Sequence, residues 1–250
     1  MKQPVGKYFA SPFIIAAALA FSVPAANATL ITGNLKVAGV GQVAISSGLI
    51  DFQPTGVGGG ATGLARVVEG STGSFASLVG STVDLHDITN AAVPTGQPNQ
   101  DFTFVTAFAG HNWTIKLDQM DEGVFAANPA NCPGLPAAAG QVCTPSIGPV
   151  ENPFSFVNTS ANSSTVSVTF TGRAIDNDNP QDVTTVRGVV GATFSEDNFQ
   201  SLLAQAATGT TITTSYSGTI TAVPEPSSAA MTLIGALLVA GVVAGRRLVG

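Results

Sequence analysis

Two histidines and the carboxylates beside one of them are the side chains best suited to acid–base chemistry. Asp84 and Asp87 flank His86, so a carboxylate could orient its imidazole as a general base, and His111 is the only other histidine. No serine lies in a Gly-x-Ser-x-Gly turn, and no spacing links a serine to either histidine. We therefore predict no catalytic residues, and place these side chains in a solvated turn or at the edge of the core.

Carboxylates at alternating positions could bind a hard cation. Asp176, Asp178 and Asp182 have this spacing, and calcium prefers several oxygen ligands. The segment lacks the sixth-position glycine and closing glutamate of an EF-hand, and strand-like sequence flanks it on both sides. It favours a hairpin turn, with calcium as the alternative, and no other cofactor is indicated. A second acidic cluster has the same two interpretations: Asp118, Asp121 and Glu122.

The part of the chain between its two ends is acidic but sparsely charged. Residues 29–222 contain five Lys and Arg against fourteen Asp and Glu, so their net charge is −9. Such a surface repels nucleic acid and anionic lipid, which excludes a nucleic-acid-binding function. Thr, Ser, Asn and Gly supply most of the polarity, and this composition is typical of an extracellular β protein.

Apolar and polar residues alternate with a period of two along this segment, which predicts half-buried strands. The clearest alternation covers residues 102–108, 113–118, 165–170 and 211–220, with weaker candidates at 30–37, 42–45, 154–157 and 183–194. Trp113, Tyr216 and the phenylalanines follow the alternation, so we assign them to the core rather than to a sugar-stacking platform. Because sheets with one dry face must stack, we predict an all-β fold, an antiparallel β-sandwich.

One short helix is predicted near the C-terminal end of the β-rich segment. Ser195 can cap it, Glu196 and Asp197 suit the positive end of its dipole, and Gly209 can close it. Its apolar stripe has helical spacing and consists of Phe199, Leu202, Leu203 and Ala206. We expect this helix to lie across an end or an edge of the sheets.

The first 28 residues have the three parts of a secretory signal peptide. Two lysines precede an apolar run over residues 13–23, which is too short to span a bilayer comfortably. Ala26 and Ala28 supply the small residues of a cleavage site, so the mature protein is predicted to begin at Thr29. The sequence therefore predicts export.

The last residues of the chain, 223–250, form a second targeting segment. Its key residues are Pro224, Glu225, Pro226, Arg246 and Arg247. Residues 227–245 carry no charge, and as a helix they would cover about 25 to 28 Å, enough to span a bilayer with slight thinning. The paired arginines favour the cytoplasmic side, which leaves the β-rich segment outside.

This tail resembles the PEP-CTERM sorting signal of Gram-negative bacteria, through its Pro-Glu-Pro motif, apolar helix and terminal arginine pair. The resemblance implies recognition by an inner-membrane exosortase, after export through the Sec translocase. It also implies a bacterium that makes extracellular polysaccharide. An ordinary tail anchor is the alternative. Residues 50–54, 58–60 and 70–75 are similar to a recurrent group of proteins with this tail, which has no assigned activity.

Cys132 and Cys143 are the only cysteines, and ten residues that include two prolines and two glycines separate them. In the oxidising compartment that export implies, a disulfide that closes a surface loop is the favoured interpretation. It would stabilise the fold by about 2 to 3 kcal/mol. Two free thiols or a metal pair are the alternatives, although no histidine near either cysteine completes a zinc site.

These patterns divide the chain into a signal peptide (1–28), a β-rich extracytoplasmic domain (29–222) and a sorting or anchor segment (223–250). We expect a non-enzymatic protein, first an inner-membrane-anchored precursor and then a component of the cell surface or extracellular matrix. Its expected partner is exopolysaccharide or biofilm material. A carbohydrate- or ice-binding module is the first alternative, which an exposed threonine array or aromatic row would favour. A secreted hydrolase is the second.

Overall fold

Antiparallel β-strands dominate the computed structural model, which describes residues 30–46, 49–52, 62–89, 93–125, 132–145 and 153–223. The signal cleavage site at Ala26, Ala28 and Thr29 lies outside these residues, as do the sorting motif and the apolar tail after Val223. Among the described residues, no helix is long and apolar enough to cross a membrane.

The strands are numbered in chain order, and most follow the predicted alternation. Their bounds are β1 Gly33–Gly39, β2 Val43–Ser46, β3 Leu49–Phe52, β4 Thr62–Val67, β5 Thr82–His86, β6 Ile88–Thr89, β7 Phe102–Thr106, β8 Trp113–Met120, β9 Val142–Cys143, β10 Ser155–Ser160, β11 Ser163–Asp176, β12 Val183–Phe194, β13 Ile212–Thr214 and β14 Tyr216–Val223. A 3-10 helix, Gly73–Leu78, follows β4, and an α-helix, which we call α1, covers Phe199–Ala207.

Eight of these strands close into an antiparallel β-barrel. Their order is β12, β14, β1, β4, β5, β7, β8 and β11, and β11 pairs again with β12 to complete the ring. The predicted β-sandwich is therefore wrong in architecture, although the all-β antiparallel class is confirmed. Two stacked sheets and one closed sheet both need strands with a dry and a wet face, so alternation alone does not distinguish them.

Aromatic rings fill the barrel interior. Phe104 and Phe170 meet edge to face with ring centroids 5.1 Å apart, and Phe52 lies 5.9 Å from Phe104. Small residues make room for these rings: a Cβ on Gly188 would collide with the ring of Phe170. A barrel of eight strands encloses a space that side chains can just fill, so this interior is a core rather than a binding chamber.

A second, four-stranded sheet in the order β13, β2, β3 and β6 packs against the barrel through Phe52 of β3. The Phe52 ring is fully buried and lies 5.1 Å from the ring of Tyr216, whose hydroxyl donates to the carbonyl of Leu64. The second sheet thus shares one core with the barrel.

The helix is present, but its cap differs from the prediction. Asn198 precedes the first turn, and its side-chain oxygen accepts a hydrogen bond from the Ser201 N–H at 2.9 Å. Ser195 was the wrong capping residue, because residues 195–196 form the bend that follows β12 and the helix begins only at Phe199. Gly209 adopts a φ of +75° just beyond the helix, as a closing glycine requires.

Candidate functional site

His86 and its neighbouring carboxylates lie at the end of β5 rather than in a free turn. The His86 Nε2 atom lies 3.3 Å from the hydroxyl of Thr106, and Asp87 accepts a hydrogen bond from the Phe52 N–H at 2.9 Å. Asp84 lies opposite Thr106 in the ladder between β5 and β7. These contacts connect β5 to β7 and to the second sheet, so each side chain has a structural partner.

Burial raises the pKa of the Asp87 carboxyl, and the nearby charge of Asp51 adds to this effect. The Phe52 N–H and the charge of His86 act in the opposite direction. Burial also raises the pKa of Tyr216 to about 12, with a further contribution from Asp87. These shifts reflect a partly desolvated junction between the barrel and the second sheet.

His111 belongs to an aromatic cluster on the barrel. It stacks on Trp113 with ring centroids 3.9 Å apart, while Phe75 and Phe108 each lie 6.0 Å from the Trp113 ring. Phe75 and Phe108 are buried, and Trp113 is half-buried. Because His111 covers one face of the indole and the phenylalanines pack around it, Trp113 is not an open sugar-stacking platform.

The acidic segment 176–182 forms the hairpin between β11 and β12. Asp176 accepts from the Asp178 N–H at 3.1 Å, and Asp178 accepts from the side-chain amide of Asn112 at 2.8 Å. The backbone N–H of Asp182 donates to Asn179. Among the residues that the structure describes, no group of three His, Cys, Asp or Glu side chains is arranged to hold a metal ion.

The second acidic cluster is divided among different contacts. Asp118 binds Arg173 through both carboxylate oxygens, with the shortest distance 2.7 Å. Asp101 joins the same network by binding both Arg173 and Lys116. The pKa of Asp101 is lowered mainly by its hydrogen bond from Lys116. Beyond β8, the backbone N–H of Asp121 donates to the carbonyl of Thr169, and the Glu122 carboxylate lies beside Gly96.

The predicted disulfide between Cys132 and Cys143 is confirmed. A buried amide network connects its loop to α1: the Asn158 side chain accepts from the Phe199 N–H and donates to Gln141 and Gln200. Gln200 also donates to the carbonyl of Pro133 inside the loop. The disulfide therefore closes a loop that hydrogen-bonds to the helix.

A shallow apolar groove lies between the second sheet and the β11–β12 pair. Its lining includes Ile45, Ile50, Val166, Val190 and Tyr216, and its volume is about 20 Å³. A space of this size holds little more than one water molecule. It is too small for a sugar ring or a peptide side chain.

The outer surface of four neighbouring barrel strands has a distinct composition. Strands β12, β14, β1 and β4 contain no Asp or Glu, and we call their outward side chains the acid-free face. Its outward residues are Thr185, Arg187, Val189, Gly191 and Thr193 on β12; Ser217, Thr219, Thr221 and Val223 on β14; Asn34, Lys36 and Ala38 on β1; and Thr62, Leu64 and Arg66 on β4.

Cross-strand pairing arranges these residues in rows. One row runs from Arg187 through Thr221 to Asn34, and the next runs from Val189 through Thr219 to Lys36. The hydroxyl of Thr221 donates to the side chain of Asn34 at 2.8 Å. Sequence reasoning did not find this face, because β1 and β14 lie far apart in the chain. The absence of acidic residues from 30–46 and 183–194 was the available signal.

No protein-family model matches this chain, and no curated protein and no solved structure matches it. Its function is therefore inferred from the chemistry of its own residues.

Proposed function

We propose that this chain is a non-enzymatic, exported protein of the cell surface or extracellular matrix. Its PEP-CTERM-like tail directs it to an exosortase, and its barrel associates with extracellular polysaccharide. The acid-free face carries this proposal, because its Thr, Ser and Asn side chains offer hydrogen-bond donors and acceptors to sugar hydroxyls on an exposed sheet.

Two further observations support a surface role. Phe104 and Phe170 fill the barrel and Phe52 of the second sheet packs against Phe104, so a polymeric ligand has room only on the outside. The disulfide between Cys132 and Cys143 fits the oxidising compartment to which the signal peptide would deliver the chain.

Ice binding is the alternative that the threonines also favour. An ice-binding face needs a flat, regular array, whereas Arg187, Val189 and Lys36 interrupt the rows on this face. A closed sheet is also curved. A flexible polysaccharide can follow such a surface, so we favour the glycan ligand.

Binding is tested by comparing two matched threonine substitutions. Thr219 lies on β14 within the acid-free face, and Thr103 lies on β7 outside it; both are half-buried and point outward. Retention of each variant on extracellular polysaccharide from the producing organism should be measured. Thr219→Val should weaken retention, because it removes a hydroxyl without changing the side-chain shape, whereas Thr103→Val should not. Equal retention of both variants would refute binding through this face.

Sorting is tested separately in the full chain. Replacing Pro224 and Glu225 by Ala should leave membrane insertion intact and trap full-length protein in the membrane fraction. Replacing Leu237 and Leu238 by Asp should instead release unprocessed protein, because two carboxylates near the bilayer centre cost about 5 to 7 kcal/mol on insertion scales. A Pro-Glu variant that is trimmed and released like the wild type would leave an ordinary anchor as the explanation.

A further inference from the structure

The basic side chains of the barrel fall into two groups with different surroundings. Lys116 and Arg173 form ion pairs with Asp101 and Asp118 on the outer surface of β8 and β11. The other basic residues of the described chain are exposed and form no ion pair with another described residue: Lys36, Arg66 and Arg187. All three lie on the acid-free face.

The strand register sets the spacing of these three residues. Arg187 lies opposite Thr221, Lys36 opposite Thr219, and Arg66 opposite Ala38. Neighbouring strands lie about 4.8 Å apart, and successive outward residues lie about 6.8 Å apart along a strand. With this spacing, Arg187 lies about 12 Å from Lys36, and Lys36 lies about 8 Å from Arg66. The positive charges thus form a diagonal line across four strands, with the hydroxyls of Thr219 and Thr221 beside it.

This line contrasts with the charge of the whole domain. Residues 29–222 have a net charge of −9, yet the four strands of the face carry three basic residues and no acidic residue. The carboxylates that lie just beyond the ends of these strands include Asp182, directly before β12, and Glu69, in the turn after β4, and Glu69 forms no ion pair with Lys36. The face therefore offers a local positive potential that attracts anionic groups.

We propose that the acid-free face binds an acidic polysaccharide, a polymer that carries carboxylate or sulfate groups along its chain. Arg187, Lys36 and Arg66 contact the anionic groups, and the intervening threonine hydroxyls contact the sugar hydroxyls. This proposal rests on the proposed function and specifies the class of glycan.

Other polyanions fit the face less well. Duplex DNA carries one charge per about 1.7 Å of its axis, far denser than three cations spread over about 20 Å. The outward positions of the four strands contain no aromatic residue for base stacking. An anionic membrane attracts clusters of about four to eight basic residues, and the net charge of this domain opposes that approach.

The test compares two double variants of the exported protein with the same change in net charge. One is Lys36→Gln with Arg187→Gln on the acid-free face, and its control is Lys116→Gln with Arg173→Gln on the neighbouring surface. Affinity should be measured at several salt concentrations for three soluble polymers: a polyuronate, a sulfated glucan and a neutral glucan. Circular dichroism checks that each variant is folded.

The wild type should bind at least one acidic polymer more tightly than the neutral glucan, and salt should weaken this binding. The acid-free-face variant should lose affinity for it by about fivefold to tenfold, and the control should lose less than about twofold. Equal losses in both variants would overturn the proposal. So would a change of oligomeric state in the acid-free-face variant without a change in polymer affinity.

The same measurements distinguish binding of an acidic polysaccharide from polysaccharide binding in general. Binding of the neutral glucan that neither double variant weakens would refute an acidic ligand and leave polysaccharide binding intact. No retention of the wild type on any of the three polymers, or on polysaccharide from the producing organism, would refute both.

Discussion

The two halves of the barrel share one interior but differ in their outer surface. Strands β12, β14, β1 and β4 carry hydroxyls and no carboxylate, and their basic residues form no ion pair with another described residue. We call the other four strands, β5, β7, β8 and β11, the carboxylate half. This half carries Asp84, Asp118 and Asp176, and both of its basic residues, Lys116 and Arg173, are in ion pairs. The alternation along each strand lets one face keep the core while the other face varies in charge.

This difference indicates which surface of the barrel is better suited to bind a charged ligand. In the carboxylate half, Asp101 and Asp118 neutralise both basic residues, Lys116 and Arg173, so an anionic ligand finds few open cations there. The acid-free face leaves its basic residues available to solvent. Exposed ion pairs contribute at most about 1 kcal/mol, so the carboxylate half gains little stability from this arrangement.

Truncating one aromatic side chain of the shared core should have the largest effect on stability. Phe170 is fully buried against Phe104, and Phe170→Ala should destabilise the fold by about 3 to 5 kcal/mol through the cavity it leaves. Thr169→Ala, at the neighbouring outward position, is the control and should change stability by less than about 0.5 kcal/mol. Denaturant unfolding followed by circular dichroism measures both. If hydrogen exchange showed only one half of the barrel opening in Phe170→Ala, the two halves would not share a core.

Removing the disulfide should have an intermediate effect. Replacing Cys132 and Cys143 by Ser should lower the free energy of unfolding by about 2 to 3 kcal/mol, because the unfolded chain loses a cross-link. The loop contacts α1 through Gln200, so its loss should loosen the helix while polysaccharide retention stays at the wild-type level. Loss of retention in this variant would place the ligand near the loop and not on the acid-free face.

The smallest effect concerns pH and Asp87. Because burial raises its pKa in the fold, the folded state holds a proton that the unfolded state releases as pH rises above the ordinary value of 3.8. Stability from this group is therefore greatest below that value and falls as pH rises through the raised pKa. Asp87→Asn keeps an acceptor for the Phe52 N–H and should reduce this fall, which thermal unfolding between pH 3 and 7 measures. A steeper fall in the variant would contradict the assignment.

Local features of the fold were predictable from the sequence. Alternation predicted β12 at Val183–Phe194, where the structure has it, and the cysteine spacing predicted the disulfide. Alternation also assigned Trp113 and Tyr216 to the core, and Tyr216 is buried while Trp113 is half-buried. These features depend on residues that lie close together in the chain.

Closure of the barrel and the acid-free face were not predictable, because both depend on pairing between distant strands. The pairing of β14 with β1 joins Thr221 to Asn34 across 187 positions, and no local pattern specifies it. Strands β4 and β5 were missed because each has only five or six residues, and in β4 the inward Gly63 and the outward Leu64 weaken the alternation. The capping residue was misplaced because Ser195 and Asn198 are both good N-caps, and the bend after β12 selects the later one.

The central claim, that the acid-free face binds extracellular polysaccharide, is tested most directly by mapping the ligand onto the barrel. NMR spectra of the isotope-labelled exported protein should be recorded during titration with oligosaccharides cut from polysaccharide of the producing organism. We expect shift changes at Lys36, Thr185, Arg187, Thr219 and Thr221, with little change on β7 and β8. Changes confined to β5, β7, β8 and β11, or no change at saturating oligosaccharide, would contradict it.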